Sequence, residues 1–298
     1  ANGFHRTLAR MKPFSLLQLA IPPRWLALAV AISALSMEGS AAIIADFQYG
    51  GSTSSPVTNQ VDAWSGMAGD GWLTPWTHNS NTEVTITAGV ESGQLLTTGH
   101  NRLRVTSQNP DTATRASAVN RKYDAASFEG TQVISFQFRL DSDPATTLNR
   151  IRIFDGAVAA LAETSPGANV TWFLRANPGG NWLFYNGTSS VNTGIALTQG
   201  NVYEFTIAVT ENTYTAEVRN LTTSGSYTSG NLAFYSAQEA VGGYLNFSVN
   251  TLAGATTEFS ISSISVIPEP GTTTAMALGG LLLGGHLLLR QNAKTAAR

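Results

Sequence analysis

Asp141 and Asp143 are two carboxylates one residue apart, followed at once by Pro144. Acid oxygens clustered before a proline suit two tasks. They can cap a turn through side-chain hydrogen bonds to backbone N–H groups, or they can begin a surface Ca2+ site that backbone carbonyls complete. Cleaving a glycosidic bond asks for more: two carboxyl groups that flank the scissile bond from one strand face. No Glu-x-Asp pair occurs anywhere in the chain. His78 and His100 have neither the His-x-x-x-His spacing of a helical metal site nor a Gly-x-Ser-x-Gly elbow nearby, so they read as loop residues. The chain has no cysteine, which removes disulfides, thiolate nucleophiles and thiolate metal sites.

Binding chemistry has better candidates. The Gly-rich stretch WSGMAGDGWLTPWTHN carries Trp64, Trp72 and Trp76, and NWLFYNG carries Trp182 and Tyr185. Exposed aromatic faces can stack on sugar rings. The same rings can instead plug the ends of a sandwich or fill its core.

The elements that must position these residues are strands. Short runs with alternating side chains cover residues 84–88, 103–107, 131–140, 150–156, 202–210, 213–221, 244–250 and 257–266, with turn formers between them. NVTWFLRANPGGNWLFYNGT reads as a hairpin whose turn, residues 177–180, uses the fixed φ of Pro and the positive φ open to Gly. No helical period persists between residues 43 and 267. Many strands and little helix predict an all-β, two-sheet sandwich with jelly-roll topology.

Charge is distributed unevenly. Residues 43–267 hold 10 Arg plus Lys and 17 Asp plus Glu, a net of 10 − 17 = −7, against −2 for the whole chain. An acidic body has no basic footprint for nucleic acid. The basic residues gather at the ends. Arg6, Arg10, Lys12 and Arg24 precede the apolar run WLALAVAISAL, and small residues follow, with Ser40 and Ala42 suited to signal peptidase. Residues 1–42 therefore read as a secretory signal, with Met11 as the natural initiator. An uncleaved anchor is the alternative, although the run is shorter than the ~20 residues that a span needs.

At the other end stand Pro268, Glu269 and Pro270, then 18 residues from Thr272 to Leu289 with no formal charge, then Arg290, Lys294 and Arg298. At about 1.5 Å rise per residue the apolar stretch covers about 27 Å, enough to cross a bilayer. The positive end would stay cytoplasmic and the body would face outward.

This order of proline-bracketed acid, apolar span and basic end resembles the PEP-CTERM sorting signal of Gram-negative bacteria. The resemblance implies export, recognition of residues 268–270 by a membrane-embedded exosortase, removal of the tail, and life in the envelope or biofilm matrix. The basic end, RQNAKTAAR, is more dilute than the usual cluster, and His286 interrupts the span. Residues 268–298 are thus expected to be an address and residues 43–267 the working domain. Within that domain, ESGQLLTTGHNRLRVTS, VYEFTIAVTENTYTAEVRN and FSISSISV are similar to strand pairs of the concanavalin A-like lectin and laminin-G group. That resemblance implies a lectin-like sandwich; with no Glu-x-Asp pair in the chain, the expected body is non-enzymatic, binds glycan such as exopolysaccharide through aromatic and polar loop residues, and requires no cofactor. The rivals are a purely structural surface protein and an exported glycoside hydrolase or lyase.

Overall fold

Alternation is what builds the sheets. In strand β7 (Gln132–Ser142), Ile134, Phe136, Phe138 and Leu140 are buried on one face, while Val133, Ser135 and Arg139 lie half-buried on the other. The computed structural model describes residues 43–45, 57–58, 72–74, 76–91, 95, 102–124, 131–143, 151–159, 168–177, 179–237 and 243–268. Every strand pairing among them is antiparallel. No helix among the described residues is long and apolar enough to cross a membrane.

The larger, ten-stranded sheet runs β14 (Ser226–Thr228), β13 (Thr213–Asn220), β12 (Val202–Val209), β7, β17 (Ala255–Pro268), β5 (Arg102–Asn109), β4 (Thr85–Glu91) and β2 (Val57–Thr58). Two short strands complete it: β1 (Ile43–Ala45) pairs with β17, and β15 (Leu232–Ala233) with β13. The seven-stranded sheet runs β11 (Ser189–Ala196), β10 (Asn181–Asn186), β9 (Val170–Ala176), β8 (Ile151–Gly156), β16 (Tyr244–Thr251), β6 (Arg115–Lys122) and β3 (Thr77–Ser80). The chain changes sheet repeatedly. Its last two long strands enter late and fill central places, β16 between β8 and β6, β17 between β7 and β5.

The predicted hairpin forms from β9 and β10, with Gly179 at φ 73° and the Gly180 N–H donating to the Asn177 carbonyl at 2.8 Å. All eight predicted strand runs correspond to strands, with ends shifted by a few residues.

An aromatic seam joins the two sheets. From Trp72 it passes to Trp76 (ring centroids 6.4 Å apart), Phe247 (6.2 Å), Phe136 (5.3 Å) and Phe205 (5.1 Å). It continues through Trp182 (4.7 Å) and Phe138 (5.7 Å) to Phe259 (5.8 Å). These separations and the mix of tilted, edge-on and stacked rings are those that add attraction beyond simple burial. A second, smaller cluster of Phe154, Val170, Phe173 and Tyr185 packs on the other side of β8–β10.

Candidate functional site

The outward face of the ten-stranded sheet holds a recess lined by charged side chains. Ala88 and Val90 of β4 turn into the core, so Thr87, Gly89 and Glu91 turn outward. In β5 the core takes Leu103 and Val105, which sends Arg102, Arg104 and Thr106 out. Register then sets neighbours across three strands: Thr87 opposite Thr106 opposite Glu258, and Gly89 opposite Arg104 opposite Ser260. Gly89 brings no side chain to its place in the row. The gap it leaves is the floor of a recess of about 230 Å3, walled by Thr87, Glu91, Arg104, Thr106 and Glu258.

Arg104 forks between the two acids. It donates from Nη1 to Glu91 Oε1 at 3.2 Å and from Nη2 to Glu258 Oε2 at 2.7 Å, while Arg102 Nη2 reaches Glu91 Oε2 at 2.7 Å. The Thr106 hydroxyl adds a 3.3 Å bond to Glu258 Oε1. Burial alone would raise the Glu91 carboxyl, but the hydrogen bonds and positive charge of Arg102 and Arg104 outweigh it and hold the carboxyl below its ordinary range. The bond to Glu258 in turn holds the Arg104 guanidinium above its usual value. A general acid for glycoside cleavage must keep a proton near neutrality, and Glu91 does the opposite.

A second group of polar residues lies inside the sandwich. Tyr123 donates its hydroxyl proton to Asp155 Oδ2 at 2.8 Å, with Gln132 Oε1 3.3 Å from the same oxygen, and the Gly243 N–H reaches Asp155 Oδ1 at 3.2 Å. Burial drives the Asp155 carboxyl up to about 7 despite those donors. It is 1% exposed, which suits a structural role better than a catalytic one.

The residues singled out by sequence fall elsewhere. Trp72, Trp76 and Trp182 are 2%, 0% and 0% exposed and belong to the aromatic seam. Of the two roles open to them they take the packing one, which corrects the sugar-stacking alternative: their faces are covered by other rings. The Trp182 indole N–H has no acceptor, so that ring serves as apolar volume. Tyr185 is also buried, with Phe173 stacked at 4.5 Å and the Arg175 guanidinium 5.5 Å from its centroid, so its ring is no stacking platform either. Trp64 and His100 lie outside the described residues, and His78 sits in β3.

Asp141 is not in a turn but in the last part of β7. Its Oδ1 accepts from Arg139 Nε at 2.5 Å and its Oδ2 from the Ser260 hydroxyl. Both carboxylate oxygens of Asp141 are thus engaged by Arg139 and Ser260, and a cation there would have to displace the guanidinium. Asp143 follows one residue past the strand end, and no group of three or more His, Asp or Glu side chains suited to a metal occurs among the described residues. Pro268 ends β17 opposite Gln132. Glu269, Pro270, the stretch from Thr272 to Leu289, Arg290, Lys294 and Arg298 lie outside the described residues, as does the signal region 1–42.

Sequence reasoning missed the Glu91, Arg102, Arg104 and Glu258 constellation. A signal existed for part of it: NRLR places Arg102 and Arg104 two apart on a predicted strand, hence on one face. Nothing local could announce Glu258, which lies 154 residues from Arg104.

No family model and no curated protein matches the chain. Among solved structures it is similar to a seed lectin of Lotus tetragonolobus at 13% identity, over 64% of this chain and 96% of that one, with a TM-score of 0.40. It is similar to the Ca2+-bound VIP36 exoplasmic/lumenal domain at 9% identity, over 77% and 90%, with a TM-score of 0.44. Lectin II from Ulex europaeus gives 10% identity over 64% and 97%, with a TM-score of 0.38.

Proposed function

We propose that this chain is an exported, non-enzymatic protein of the bacterial envelope or biofilm matrix. In this reading signal peptidase frees the N-terminus, and the C-terminal segment holds the protein at the inner membrane until an exosortase-type enzyme removes it. The body then works at the cell surface or beyond as a jelly-roll sandwich of the concanavalin A-like kind, in contact with exopolysaccharide or another glycan. The observation that carries the proposal is that the last described strand reaches the tripeptide. β17, a central strand of the larger sheet, ends at Pro268, the first residue of Pro268-Glu269-Pro270. Cleavage after the tripeptide would therefore release the body with none of its described strands lost.

The burial of Trp72, Trp76 and Trp182 favours a second reading, in which the sandwich is a spacer and binds nothing. Retention separates the two. The chain is applied to the producing bacterium's own exopolysaccharide, immobilised, and eluted with the soluble polymer. Specific retention supports glycan contact made through polar groups, whereas passage in the void volume on this and on other polysaccharides leaves the spacer.

A further inference from the structure

The recess on the ten-stranded sheet has a chemistry more specific than polarity. Glu91 and Glu258 balance Arg102 and Arg104, so the cluster has no net formal charge. An anion would meet the two carboxylates of the lining and a cation its Arg104 guanidinium, and either would have to break ion pairs of Arg104 or Arg102 at 2.7 Å to gain its own. A neutral polyol meets no such opposition. Each of its hydroxyls both donates and accepts, so one ring can give protons to carboxylate oxygens while accepting from guanidinium N–H groups. Donors remain: Arg104, the guanidinium that lines the recess, spends one N–H of each terminal nitrogen on Glu91 and Glu258, and each of those nitrogens carries a second. The Thr87 and Thr106 hydroxyls stand opposite each other at one end of the row. The floor at Gly89 is backbone, which permits a close approach.

We infer that the recess floored by Gly89 and walled by Glu91, Arg104 and Glu258 is a binding subsite for one neutral sugar residue of a polysaccharide chain. The inference rests on the glycan reading above and gives it a location. At about 230 Å3 the recess is smaller than the roughly 300 Å3 at which ordinary ligand pockets begin, which suits one ring and not an oligosaccharide. With no aromatic ring among its lining residues, hydrogen bonds exchanged against water supply the affinity, so the single-site Kd falls in about the millimolar range. Useful retention then comes from many such contacts along a polymer.

Affinity electrophoresis tests this with the full chain, in a detergent whose headgroup is not a sugar, through gels containing dextran, mixed-linkage β-glucan, galactomannan or, as the charged counterpart, polygalacturonate. At least one neutral polymer is expected to retard the protein. Gly89→Val, which fills the floor, and Arg104→Ala, which removes the fork, are each expected to weaken the retardation at least fivefold. Arg219→Ala, which breaks a 3.8 Å pair with Glu204 outside the recess, is expected to migrate like the parent. Circular dichroism checks that each variant is folded, and a folded Arg104→Ala keeps the test valid should Gly89→Val misfold. Retardation by a neutral polymer or by the native exopolysaccharide that both folded variants retain would overturn the subsite and leave the glycan reading standing. Retardation by polygalacturonate alone would overturn the neutral-ligand assignment. If no polymer, the native one included, retards the parent, the subsite and the glycan reading fall together.

Discussion

Trp182→Ala is expected to lower the stability of the sandwich by about 3–5 kcal/mol, the range for emptying an aromatic site in a packed core. For a domain of this size that is a fall in Tm of roughly 6–20 °C. The reason is position. Trp182 projects from β10 into the space between the sheets and meets Phe138, Tyr203 and Phe205 with ring centroids 5.7, 5.7 and 4.7 Å away. Phe138 and Phe205 belong to adjacent strands of the opposite sheet by way of β7 and β12, so one indole ties three strands together. Its loss leaves a cavity that neighbours held by sheet hydrogen bonds cannot close. Leu73→Ala serves as the comparison: Leu73 is 51% exposed, and its loss should cost less than about 0.5 kcal/mol. Thermal unfolding followed by near-UV circular dichroism reads both. An unmoved Tm for Trp182→Ala, with polysaccharide retention lost, would mean that the ring faces a ligand and not the core.

Asp155→Asn is expected to make the protein less sensitive to pH and more stable above neutrality. Burial holds the Asp155 carboxyl at about 7 in the folded protein, against an ordinary value of 3.8. The sign follows from which form the fold prefers. A raised carboxyl binds its proton more tightly folded than unfolded, so its contribution is fully present below about pH 4 and is lost as pH rises to about 7. The slope is about 1.4 kcal/mol per pH unit over that window, at most roughly 4 kcal/mol in all. The geometry explains the preference. A protonated Oδ2 donates to the Tyr123 oxygen, and Tyr123 then turns its own proton to Gln132 Oε1, 3.3 Å away, while Oδ1 still accepts from Gly243. Asparagine reproduces that neutral arrangement through its Nδ2 donor. The measured quantity is the difference in unfolding free energy between variant and parent from pH 4 to 8, in which other groups cancel. Glu91 and Asp111, both held below their ordinary values, act in the opposite direction and are common to variant and parent. The difference should grow from near zero at pH 4 and level off above pH 7. A flat difference would show that Asp155 is ionised throughout.

Strands with strong alternation were legible in the sequence because period-two burial is a local property. The run 131–140 became β7, and 202–210 and 213–221 became the paired β12 and β13. β6 was not legible, although it pairs along its whole length with β16. Its residues, RASAVNRK, put Ala116, Ala118 and Asn120 on one face and Ser117 and Val119 on the other, with no clear apolar side, and burial there follows from its place between β16 and β3 rather than from hydrophobicity. The tryptophans left two readings open for a related reason. A Gly-rich setting reads as a loop, but the segment that carries Trp72 and Trp76 lies against the sheet end, where Trp72 bridges to Tyr123 and the Arg121 guanidinium sits 4.3 Å from its ring. The recess was hidden because an ion pair across strands depends on register, which is set by the whole sheet.

The account depends most on export and tethering, and cell fractionation with protease shaving of the producing bacterium tests that directly. The wild-type chain is expected in the membrane and extracellular fractions, with its sandwich open to added protease once the outer membrane is breached. Glu269→Ala is expected to accumulate in the inner membrane with its tail intact. Full-length protein in the cytosolic fraction, protected from protease and indifferent to Glu269→Ala, would contradict the account.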